Sequence, residues 1–165
     1  MTHGTVVIGL GNPLMGDDGA GLAALGRLAD EWHLAEVELV DGATWGLSLL
    51  PVIEDASRLI LLDAITAGRA PGDIIELTRD RLPIYLSRKL SPHQVDIRDA
   101  LAVAELRGKL PADVVAIGVE PARVALGTEL SPQVANAIDA LALAVVTQLV
   151  RWGHECDPLA LARDA

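Results

Sequence analysis

Short blocks of uninterrupted apolar residues alternate along the chain with longer stretches in which apolar positions recur every three or four residues. This is the pattern of strands alternating with helices. Residues 5–10 form the first block, a β-branched run that enters Gly9-Leu10-Gly11-Asn12-Pro13 and reads as a central strand passing into a loop. Over 19–31, Leu22, Leu25, Leu28 and Ala29 mark one helical face, with Asp17 or Asp18 placed to cap it. Residues 36–40 read as a second strand ending at Asp41-Gly42, and 45–54 as a short helix. The run 59–62 has no alternation, which predicts a strand covered on both faces, and it ends at Asp63. A Gly- and Pro-containing turn at 67–72 leads to an antiparallel or edge strand over 73–78, then to a poorly periodic loop at 83–92. The periodicity predicts a helix over 95–106, a buried strand over 113–119 and a long helix over 132–152, the last with Ser131 as cap and Pro132 in its first turn.

This alternation predicts an α/β fold: a single-domain three-layer α/β/α sandwich with a mostly parallel twisted sheet and one antiparallel strand. The domain is expected over 1–156, with 157–165 as a peripheral tail. No linker, internal repeat or low-complexity tract interrupts the 165 residues, a length that suits one domain.

Composition narrows the function. Hydrophobic residues make up 51% of the chain and charged residues 22%, so a packed core is expected rather than disorder. Asp and Glu number 23 against 13 Lys and Arg, a net charge of −10 that repels phosphate backbones and argues against nucleic acid as a partner. The single cysteine, Cys156, excludes an internal disulfide and a multi-cysteine metal site and suggests a reducing, cytoplasmic setting. No apolar run reaches the roughly 18 residues of a membrane-spanning helix, and Met1–Gly4 lacks the basic start of a signal peptide, so no membrane partner is expected.

In a doubly wound sheet the loops at the carboxyl ends of strands converge on one crevice. Asp18, Asp41 and Asp63 each fall at or just beyond such an end, as candidates for a shared acidic cluster. The alternative is local: a helix cap at Asp18, an Asp-Gly turn at Asp41 and a solvent contact at Asp63. His93 lies in Ser91-Pro92-His93-Gln94, and one His with two carboxylates is a suitable donor set for a first-row transition metal. Taken alone, His93 reads equally as a loop or cap residue. Gly9-Leu10-Gly11 invites a nucleotide reading, but the third glycine of GxGxxG is replaced by Leu14, and the acidic pair at 17 and 18 opposes phosphate. Neither a G-x-S-x-G elbow nor an HExxH is present, and Cys156 reads as a packing or surface thiol.

The stretch Gly9-Leu10-Gly11-Asn12-Pro13-Leu14-Met15-Gly16-Asp17-Asp18-Gly19-Ala20-Gly21 resembles the opening signature of the hydrogenase maturation proteases. The likeness continues through Asp41-Gly42-Ala43-Thr44-Trp45-Gly46-Leu47, Leu61-Leu62-Asp63-Ala64 and Ala70-Pro71-Gly72-Asp73. It recurs at Ser91-Pro92-His93-Gln94 and Ile117-Gly118-Val119-Glu120-Pro121. Peptidyl-tRNA hydrolases share the GLGNP-like start, but the histidine and asparagine segment usual to them is missing here.

What the resemblance implies is an endopeptidase that removes the C-terminal extension of a nickel-loaded [NiFe] hydrogenase large-subunit precursor. The metal set carries over as Asp18, Asp63 and His93, which would also be the catalytic residues, with the general base unassigned. The first position is Glu in some members and Asp here, a shorter arm with the same donor. Asp41 and Gly42 match a motif near the cleft and would position the substrate. Nickel would arrive on the precursor, held by its cysteines, and the enzyme would act as a monomer on that large partner. The alternatives are a non-catalytic metal-sensing or chaperone protein for hydrogenase assembly, and a nucleotide-binding domain using residues 9–14.

Overall fold

The computed structural model describes residues 3–43, 45–83 and 95–159. Strands β1 (His3–Leu10), β3 (Val37–Ala43), β4 (Ala56–Ala64), β5 (Ile74–Thr78) and β6 (Asp113–Val119) build one five-stranded sheet in the order β3-β1-β4-β6-β5. All pairings are parallel except that of β5 with β6, so the strand expected over 73–78 is both antiparallel and at the edge.

The central strands are apolar throughout because both faces are covered. Val6, Ile8 and Leu10 of β1 point into one core with Leu59 and Leu61 of β4 and Val114 and Ala116 of β6. The residues between them, Val7, Ile60, Leu62, Val115 and Ile117, point into the other. Helices α2 (Leu50–Asp55) and α3 (Val95–Leu106) cover the first face through Ile53, Ile97 and Leu101. Helices α1 (Ala20–Glu31) and α5 (Ile138–Arg151) cover the second through Leu25, Leu28, Leu141 and Leu149. Three layers result, as the periodicity predicts.

The chain leaves β1 through α1 to reach β3 on one side, then returns through α2 on the opposite face to β4 on the other side of β1. The strand order therefore reverses between β1 and β4, and a crevice opens at their carboxyl ends.

Several expectations are corrected. Within α1 the sheet-facing stripe is Gly21, Ala24, Leu25 and Leu28, whereas Leu22 is half-buried and Ala29 exposed. Small residues occupy that stripe because the helix start presses on the strands: a Cβ on Gly21 would lie 2.3 Å from the Leu62 carbonyl oxygen. The helix expected over 132–152 is two, α4 (Pro132–Ala135) and α5. Between them the Ala137 N–H reaches the carbonyl of Val134 rather than that of Gln133, which tightens the turn.

A further antiparallel pair, β2 (Trp32–Leu34) with β7 (Cys156–Pro158), carries no periodic signal in the sequence. It places the expected boundary at 156 inside a strand, with Asp157 and Pro158 paired to His33 and Trp32. The imidazole of His154 supports this corner, with Nδ1 3.0 Å from the Ala35 carbonyl and Nε2 2.7 Å from the hydroxyl of the buried Thr5. Residues 160–165 of the expected tail lie outside the described residues, as do 84–92 of the expected loop.

Candidate active site

The turn leaving β1 is built around Gly11. Its φ of +116° belongs to glycine, and a Cβ there would lie 1.9 Å from the Asp18 carbonyl oxygen and 3.5 Å from Oδ1 of Asp63. Gly11 is thus the point where the Asp18 segment and the end of β4 close on one another. The next residue, Asn12, donates its N–H to Oδ2 of Asp18 at 2.8 Å. Asp63 Oδ1 accepts the N–H of Ala64 at 2.8 Å. Both aspartates are buried, Asp18 4% exposed and Asp63 fully enclosed, so two carboxylates from distant parts of the sequence flank one turn at the switch point of the sheet. Neither Asp17 nor Asp18 caps α1, which begins after Gly19 with no side-chain cap bond.

Asp41 stands one strand further out, opposite Gly9 in the register of β3 with β1, and is exposed. Gly42 follows as an extra residue, since Leu10 pairs next with Ala43, and the Gly11 N–H closes this end on the Ala43 carbonyl at 3.0 Å. A Cβ on Gly42 would meet Ile8 Cγ2 at 2.6 Å, so the bulge packs directly on the core. Asp18, Asp41 and Asp63 therefore share the carboxyl edge of three adjacent strands, with only Asp18 and Asp63 drawn to the same turn. His93 lies outside the described residues. Among the described residues no three His, Cys, Asp or Glu side chains converge as a metal set.

Two acidic residues have roles that sequence reasoning does not reach. Asp17, fully buried, accepts the N–H groups of Ala122 and Arg123 at 2.9 Å each, the N–H of Ser131 at 2.7 Å and the Ser131 hydroxyl at 2.8 Å. Burial pushes its carboxyl up, but these four donors outweigh burial and hold it below the ordinary aspartate value. Ser131 Oγ also accepts from the Val134 N–H as the cap of α4, so the expected Ser131 cap is present and is itself anchored by Asp17. Glu120, at the end of β6, accepts from Ala67 at 2.7 Å and Gly68 at 3.2 Å and so shapes the turn that follows β4. The only local signals were two adjacent aspartates and a Glu-Pro after a strand, neither of which names a partner 52 or more residues away.

Cys156 takes no part in this edge of the sheet. Burial, then the neighbouring Asp157 charge, pushes its thiol up, away from nucleophile chemistry. Among the described residues no helix is long and apolar enough to cross a membrane.

A doubly wound sheet with a carboxylate pair at its switch point defines a class of small α/β proteins with an acidic crevice. The particular family follows from comparison: residues 24–148, about three quarters of the chain, match the model of the HycI hydrogenase maturation protease family, and the chain belongs to that family. The matched span contains Asp41, Asp63 and His93, while Asp18 precedes it. The hydrogenase expression/formation protein HupD of Rhodobacter capsulatus is 40% identical over 103 residues, 61% of this chain and 49% of that protein. The hydrogenase 2 maturation protease of Escherichia coli is 34% identical over 99 residues, 59% of this chain and 60% of that one. The chain spans about half the length of the curated relatives it matches. The solved structure of the hydrogenase maturating endopeptidase HybD from E. coli superposes with a TM-score of 0.88 at 31% identity, covering 93% of this chain and 96% of that one.

Proposed function

We propose that the protein is an endopeptidase that removes the C-terminal extension of a nickel-loaded [NiFe] hydrogenase large-subunit precursor. Family membership supports the reaction class. The observation that carries the site is the convergence of the Asp18 and Asp63 segments on Gly11, which concentrates two buried carboxylates at one turn of the switch-point crevice. A cation brought to that turn would meet oxygen donors from both segments, and two carboxylates with one imidazole suit a first-row transition metal rather than a closed structural zinc site. His93 is assigned as the third donor. It precedes the first residue of α3 by two positions, and α3 packs against the 3₁₀ turn Gly46–Leu49 that follows β3 at the same sheet edge.

Nickel belongs to the substrate in this reading: precursor cysteines hold it, and Asp18, Asp63 and His93 complete its shell from the enzyme's side. Docking then depends on a completed metal centre, and the scissile bond is brought beside it. Held there, the ion would supply Lewis-acid chemistry to the scissile carbonyl or a water, and the carboxylate of Asp18 or Asp63 would take the proton from the attacking water. Asp41, exposed one strand away, contacts the precursor chain, with Gly42 keeping the bulge low enough for that approach. The enzyme is expected to work as a cytoplasmic monomer.

The test is to incubate the protein with its cognate precursor, with and without nickel, and to read the precursor's mass. Loss of a C-terminal peptide only from the nickel-loaded form is expected. Asp63→Asn should reduce cleavage at least a hundredfold, on the scale of removing one catalytic group, and weaken docking of the nickel-loaded precursor with it. A complex with the nickel-loaded precursor but no cleavage by the wild-type protein would indicate a metal-sensing chaperone instead.

A further inference from the structure

Beside the acidic turn stands a wall whose outer side is not explained by the fold. The segment from Arg123 to Leu130 is fixed to the turn after β1: Gly16 donates to the Gly127 carbonyl and Gly127 to the Leu14 carbonyl, both at 2.8 Å. Asp17 donates its own N–H to the Arg123 carbonyl at 3.0 Å, and its carboxylate holds both ends of the segment. This segment and the turn it is fixed to nevertheless expose three large aliphatic side chains, Val124 at 49% and Leu126 at 84% on the segment and Leu14 at 56% on the turn. Next to them opens a cleft of about 530 Å³ lined by Gly16, Arg123, Leu126, Thr128, Glu129 and Pro132 among others. Its volume is within the roughly 300–1,000 Å³ of ligand clefts, room for a few residues of extended chain.

Charge indicates what the cleft accepts. Although the protein is strongly acidic, Arg27, Arg58, Arg79, Arg107 and Arg151 each pair with a carboxylate of the chain. Arg69, Arg81 and Arg123 are exposed with no ion pair among the described residues, and of these Arg123 alone lines the cleft, unpaired even with Glu129 in the same lining. A guanidinium with no ion pair among the described residues, beside exposed aliphatics, suits a peptide carrying apolar side chains and a carboxylate, and Glu129 disfavours a second acidic group at its own position.

We propose that this cleft and the aliphatic wall beside it bind the part of the precursor's C-terminal extension that follows the scissile bond, with aliphatic side chains on Leu126 in the cleft and on Leu14 and Val124 beside it, and an acidic side chain on Arg123. The inference rests on the proposed function and adds a direction to it. Gly16, which lines the cleft, is two residues from Asp18, so a chain whose scissile bond lies at Asp18 and Asp63 passes into the cleft within a few residues. Specificity for one precursor over another is then set in part on this wall.

The test compares wild-type protein, Arg123→Glu and Leu126→Asp on the nickel-loaded cognate precursor, with melting curves to confirm folding. Both substituted side chains are exposed, so the variants are expected to fold. Each substitution should raise KM roughly five- to tenfold, with the loss in KM rather than kcat. A precursor whose extension has its acidic residues replaced by lysine should restore cleavage by Arg123→Glu and be cut poorly by the wild type. If the wild type cleaves the precursor and both variants match its KM, the docking inference is wrong while the protease reading stands. No cleavage by the wild type removes the protease reading itself. If sedimentation shows a dimer that Leu126→Asp dissociates, with cleavage unchanged, the wall belongs to a second copy and the inference is overturned.

Discussion

The carboxylate of Asp17 accepts the backbone N–H of Arg123 at 2.9 Å across 106 positions of sequence. One buried side chain thereby joins the turn that carries Asp18 to the loop that follows β6, and through Ser131 to the start of α4. The acidic crevice and the proposed docking wall are two sides of this one junction.

Asp17→Asn should be strongly destabilising although it is nearly isosteric. The amide keeps one acceptor oxygen and turns two donor hydrogens toward a site where four donors already converge. A loss of about 3 kcal/mol is expected, since hydrogen bonds to a charged acceptor are broken and buried N–H groups are left unsatisfied. For a chain of this size that corresponds to a fall in Tm of roughly 6–12 °C. Thermal denaturation at neutral pH measures it, and a shift under about 2 °C would mean that the junction does not need the charge.

The same group makes stability depend on acid. Its folded carboxyl is held below the ordinary value, so its contribution is fully present above the unfolded-state value of about 3.9 and is lost as pH falls through the folded value. The stability gap between wild type and Asp17→Asn should therefore be constant above about pH 5 and close progressively below about pH 4. Urea titrations across that range read the gap directly. A gap that widened on acidification would contradict the depressed carboxyl.

Two glycines should respond in opposite directions to the same change. Gly11→Ala places a methyl group 1.9 Å from the Asp18 carbonyl at a φ of +116°, so the turn must move, at a cost of about 3 kcal/mol or more and with loss of cleavage. Gly26 is exposed inside α1 and a Cβ there meets nothing within 4 Å. Gly26→Ala should stabilise the protein by about 0.5–1 kcal/mol and leave cleavage unchanged. Chemical denaturation with a parallel precursor assay separates the two effects.

The layer arrangement was legible in the sequence because it is written in local periodicity. An unbroken run such as Leu59-Ile60-Leu61-Leu62 cannot leave either face in water, so helices on both sides of the sheet follow from four residues. The positions of Asp41 and Asp63 were legible for a related reason, since each stands where a strand-like run stops and strand ends gather at one edge of a parallel sheet, whereas Asp18 lies eight residues beyond the end of β1. That Asp18 and Asp63 meet at Gly11 while Asp41 stays exposed could not be read in this way.

Tertiary structure alone decided the rest. Asp17, one of the two expected caps, is instead an acceptor for a loop more than a hundred residues away, Glu120 shapes a turn that belongs to β4, and β7 pairs with a strand of three residues. Periodicity records which side of an element is covered and says nothing of what covers it. A buried carboxylate is satisfied by whichever backbone donors the fold brings to it, and those donors carry no residue-specific mark in the sequence.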